Sequence, residues 1–128
     1  MDKEFQRRLS LDRTIQRLEN KIRSGKGTMK DAGDLGGAAG NVAAKLIGER
    51  MKEEFPNGQI SAEDVRRVIS PILRQMHTYV SEQTSVIINQ MYQDAEIGLK
   101  AIIPEYDTYR ENELVREISS RSFEDGFY

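Results

Sequence analysis

The sequence predicts an all-α fold: an elongated helical bundle or hairpin with one long, Pro-kinked helix and a coiled-coil-like N-terminal helix. Three observations lead there. Apolar residues recur at three- and four-residue spacings along most of the 128 residues. No run of alternating β-branched residues competes with that period, and the nearest candidate, Val86-Ile87-Ile88, lies inside a helical stripe. The three prolines stand at 56, 71 and 104, each at or near an apparent break. The length fits a single helical domain, 1–128.

The first element spans Asp2 to Ser24 and is dense in good helix formers. Leu11, Ile15, Leu18 and Ile22 follow spacings of 4, 3 and 4, the seam of a coiled coil or bundle edge, and Phe5 and Leu9 extend it toward the N-terminus. Ser24-Gly25-Lys26-Gly27-Thr28 ends the helix, since two glycines in three residues favour positive φ. A second helix is expected over about Ala38 to Glu54, with Leu35, Ala39, Val42 and Leu46 repeating the spacing. Residues 28–37 read either as its helical lead-in or as a flexible link. Gly33, Gly36, Gly37 and Gly40 each cost about 1 kcal/mol of helix propensity relative to alanine. A face of Gly36, Ala39, Gly40 and Ala43 would let another helix approach closely. Phe55-Pro56-Asn57-Gly58 is the stop.

Ser61-Ala62-Glu63-Asp64 has the form of a capping box. Val65, Ile69, Ile72, Met76, Val80, Ile87 and Met91 then continue one stripe to about Ala95. Unbroken, residues 61–96 would make a rod of roughly 54 Å at 1.5 Å per residue. Pro71 is expected to kink it or to mark a helix junction. Ser81-Glu82-Gln83-Thr84-Ser85 interrupts the stripe, so contact there should be thin. Residues 98–104 read as a connection whose Leu99, Ile102 and Ile103 tuck against the bundle, and a short helix is expected from about Asp107 to Ser119.

Composition narrows function. Charged residues form 31% of the chain and hydrophobic ones 38%, with mean hydropathy -0.64 and net charge -2. No apolar run approaches the roughly 18 residues that span a bilayer, and Met1-Asp2-Lys3-Glu4-Phe5 holds no apolar core of a secretory signal. No membrane association is expected. The chain has no cysteine and one histidine, which removes disulfides and thiolate ligands and leaves little for zinc or histidine catalysis. No cofactor or metal is expected.

The motifs that invite chemistry fall short of it. The cluster from Gly33 to Gly40 lacks the Gly-Lys-Ser/Thr ending of a phosphate loop and follows no strand, as does Gly25-Lys26-Gly27-Thr28. His77 has only Glu82, five residues on, as a nearby carboxylate, which is poor helical spacing. Glu53/Glu54 and Glu111/Glu113 are adjacent or two apart and do not converge. Met51, Met76 and Met91 read as core filler. Nothing forms a catalytic constellation, and an enzyme is not expected.

Charge is unevenly placed, +5 over residues 1–30 and -7 over 31–128. Arg7, Arg8, Arg13 and Arg17 are the candidate partner-binding residues, beside Leu11, Ile15, Leu18 and Ile22 as the candidate helix-association seam. Contact with an acidic protein surface is expected, with nucleic-acid binding by the basic helix as the alternative; the seam predicts either a homo-oligomer or a monomeric bundle in which the first helix packs on the long one. The pI of about 5.5 and the lack of stacking aromatics nearby weigh against nucleic acid.

From Val86 onward a resemblance enters. Asn89 to Glu105, above all Ala95-Glu96-Ile97-Gly98-Leu99-Lys100-Ala101 followed by Pro104 and Glu105, resembles phage and prophage minor head proteins of Gram-positive bacteria, the head-morphogenesis, Mu F-like minor capsid family. Ser70-Pro71-Ile72-Leu73, Gly27-Thr28-Met29-Lys30-Asp31-Ala32 and the basic first helix are similar to that family's N-terminal layout. The resemblance implies a structural, non-catalytic virion component that binds portal or capsid proteins during head assembly. It would reside in the bacterial cytoplasm during assembly and then in the virion. The family continues into a Cys- and His-rich C-terminal region that this chain lacks, so the chain is expected to be the N-terminal part of a longer protein.

Overall fold

A computed structural model describes residues 2–103 and 105. Every regular element among them is a helix: α1 (Lys3–Leu11), α2 (Arg13–Arg23), α3 (Met29–Glu54) and α4 (Ala62–Ile102). The all-α expectation holds. The chain divides into two compact units, Met1–Gln90 and Met91–Tyr128. The expected helix at Asp107–Ser119 lies outside the described residues.

The first expected helix is two helices. Asp12 adopts extended backbone and serves both: its N–H bonds Arg8 O at 3.1 Å, and its side chain accepts from Ile15 N at 2.9 Å. It thus closes α1 and caps α2, satisfying a donor that the first turn of α2 would otherwise leave open. Asp2 caps α1 in the same way, accepting from Phe5 N at 2.9 Å. α2 ends in a Schellman turn: Gly25 sits at φ 81, its N–H bonds Ile22 O, and Lys26 N bonds Lys21 O.

α3 begins at Met29, nine residues ahead of the sequence expectation, and the glycine cluster is helical rather than a link. Thr28 and Asp31 form a capping box, with Thr28 N donating to Asp31 Oδ2 at 2.8 Å and Asp31 N to Thr28 Oγ1 at 3.2 Å. Burial of Ala32, Leu35, Ala39, Ala43 and Leu46 offsets the weak glycine propensity. The turn after Phe55 closes by Gly58 N to Phe55 O, with Gly58 at φ 72. The expected capping box at Ser61 is present, Asp64 Oδ2 accepting from Ser61 N at 3.0 Å.

α4 corrects the reading at three places. Pro71 lies inside it, so of the two outcomes expected there a helix junction is excluded, and it continues through Gly98 to Ile102 in place of the expected connection. Its buried stripe runs through Val68 and Ile72, with Met76, Tyr79 and Val80 packed against the core, to Ile87; Val65 and Met91 are exposed. Met91 is therefore not core filler, whereas Met76 is. Leu99, Ile102 and Ile103 are exposed rather than tucked in. Ser81, Glu82 and Ser85 are exposed, in line with thin contact there.

The core of the first unit joins Phe5 and Leu9 of α1, Ile15, Leu18 and Ile22 of α2, the α3 row, and Ile72 and Ile87 of α4. The small-residue face of α3 meets α4 as expected: a Cβ on Gly36 would stand 3.9 Å from Val80 and one on Gly40 4.0 Å from Met76. Gly27 is under a tighter constraint. A Cβ there would lie 2.9 Å from Ile22 Cγ1 and 3.1 Å from both Ile22 Cα and Ile87 Cγ1. Gly37 has open space around the same position.

Two alanine substitutions separate these roles. Gly27→Ala is expected to destabilise the protein by about 1–3 kcal/mol, because backbone and a branched side chain must give way. Gly37→Ala is expected to stabilise it by about 0.4–1 kcal/mol, since the helical conformation suits alanine and restricts the unfolded chain. Urea denaturation midpoints moving in opposite directions would bear this out; equal shifts would contradict it.

Candidate partner-binding surface

The seam residues do not form an exposed edge. Ile15 and Leu18 are fully buried and Ile22 nearly so, all within the core of the first unit. Leu11 is 65% exposed and lies outside the seam. It ends α1, ahead of the break at Asp12, so its helical phase no longer matches that of Ile15. Phe5 and Leu9 are buried, as a stripe of their own.

The four arginines separate into two pairs. Arg7 grips Glu4 through Nε at 2.9 Å and Nη2 at 2.7 Å, a bidentate fork. Arg8 Nε also donates to Glu4, at 2.9 Å, and Arg8 Nη2 donates to Glu49 of α3. These contacts, Arg7 first and Arg8 second, pull the Glu4 carboxyl down to about 2. Arg13 and Arg17 on α2 are exposed and form no ion pair among the described residues.

Some of the charge of the two segments is paired within the fold. Arg8–Glu49 and Lys21–Asp31 join cations of the first 30 residues to acids beyond them. Asp31 is the one buried charged residue among those described. Its carboxylate receives Lys21 Nζ at 2.9 Å together with the Thr28 N–H and hydroxyl. Lys21 first, then the Thr28 N–H, hold it below the usual aspartate value. Arg50 likewise lowers Asp2 through contacts at 2.5 and 3.1 Å, tying α3 to the cap of α1.

Three of the grooves that border these helices touch the candidate residues or the core. One of about 380 Å³ between α1 and α3 is lined by Arg7, Arg8, Leu11, Asp12, Val42, Lys45 and Glu49. A second, about 470 Å³, runs between α2 and α3, with Arg17, Thr14 and Asp12 facing Gly33, Asp34, Gly37, Ala38 and Asn41. The third, about 490 Å³, lies between α1–α2 and α4 over Phe5, Leu9 and Tyr79. There Tyr79 OH donates to Glu19; burial, then that carboxylate, raises the phenol well above its ordinary value.

No three His, Asp or Glu side chains gather as a metal site among the described residues, and His77 is exposed. Among the described residues no helix is long and apolar enough to cross a membrane. The sequence reading missed the self-pairing of Arg7 and Arg8. The Glu4 spacing of three and four residues was its visible signal, while the Glu49 contact has no local one. No protein-family model, curated protein or solved structure matches the chain.

Two outcomes test this placement. Because Ile15 and Leu18 fill the core, changing both to Asp is expected to abolish helicity and cooperative unfolding, not merely to dissociate an oligomer. A folded monomeric double variant from an oligomeric parent would contradict the burial. The depressed carboxylates of Asp2, Glu4 and Asp31 stabilise the fold fully above their ordinary values of 3.8–4.5, and this contribution is lost as pH falls toward the folded values. Urea midpoints should therefore fall steadily between about pH 5 and pH 2, and less steeply in Asp31→Asn. A flat profile over that interval would be inconsistent with the pairing.

Proposed function

We propose that the chain is a non-catalytic helical module of a phage or prophage head, binding a portal or capsid protein during assembly. The observation that carries the contact is the state of Arg13 and Arg17. They stand exposed, with no ion-pair partner among the described residues, on a helix whose apolar side is consumed by the core. A partner's carboxylates can engage them without breaking an internal pair. Engaging Arg7 or Arg8 would compete with Glu4 and Glu49.

The class of partner rests on the resemblance of Asn89–Glu105 to minor head proteins. It is further supported by the exposed apolar residues Met91, Tyr92, Ile97 and Ile102 on α4, since exposed apolar side chains favour association. A charged rim contact of this kind governs the association rate and its salt dependence more than the final affinity.

The test is a pull-down with the portal and major capsid proteins encoded beside the gene. It uses the wild type and a variant carrying Arg13→Glu and Arg17→Glu. Wild type is expected to bind one of them, with an association rate that falls as salt rises. The variant should keep its helicity and associate at least tenfold more slowly, a loss of about 1.4 kcal/mol in encounter free energy. Undiminished binding by the variant would remove the role given to these arginines. Failure of the wild type to bind either protein would remove the head-protein reading, and steeply salt-dependent DNA binding would put a nucleic-acid module in its place.

A further inference from the structure

No further inference is drawn: the strongest candidate, the groove over Phe5, Leu9 and Tyr79 between α1–α2 and α4, is an apolar surface for which nothing in the structure shows what covers it.

Discussion

The break at Asp12 is the constraint on which the rest of the first unit depends. The first 22 residues carry two apolar stripes, Phe5 with Leu9 and Ile15 with Leu18 and Ile22. At 100° per residue, one straight helix would hold these stripes about 130° apart. Only one could then face α3. A single extended residue lets both be buried, and aspartate suits the position because it ends one helix and caps the next. Gln16 reinforces the joint by donating its side-chain amide to Leu9 O at 3.2 Å.

What the two short helices pack against follows from small residues. Ala39 and Ala43 at the centre of α3 leave room for large neighbours, so α1 and α2 supply Phe5, Ile15 and Leu18 to a core to which α3 adds Leu35, fully buried, and Leu46, nearly so. The same economy governs the turn after α2, where Gly27 admits Ile22 and Ile87 to a space that a Cβ would occupy. Large side chains on some helices and small ones on their neighbour make one interlocked core rather than a seam between equals. That is why the 4, 3, 4 spacing, shared with coiled coils, leads here to an intramolecular core.

Helix class, the Ser61–Asp64 cap, the stop at Phe55–Gly58 and the small face of α3 were legible because each is a local signal. The errors arose where local and tertiary terms conflict. Four glycines between 33 and 40 argued against helix, but Thr28-Met29-Lys30-Asp31 already held a capping signal and the core rewards Leu35 and Ala39. Gly98 argues locally for a connection, yet α4 runs through it to Ile102. Leu11 fitted the seam by spacing, yet spacing carries meaning only inside one continuous helix. Of the candidate site, Arg13 and Arg17 remain exposed cations, whereas Arg8 is tied to Glu49, a partner 41 positions away that no window of sequence contains.

The electrostatics and the packing share one origin. The break at Asp12 lets α1 pack against α3, which makes Arg8–Glu49 and Arg50–Asp2 possible, while on α2 Arg13 and Arg17 have no ion-pair partner among the described residues. The most direct test of this account compares Leu9→Ala with Leu11→Ala by equilibrium urea denaturation. Two helices joined at Asp12 predict a loss of about 2–5 kcal/mol for Leu9→Ala, a buried leucine, and within about 0.5 kcal/mol for the exposed Leu11→Ala. A large loss at Leu11 with little at Leu9 would contradict the break and restore one continuous N-terminal helix.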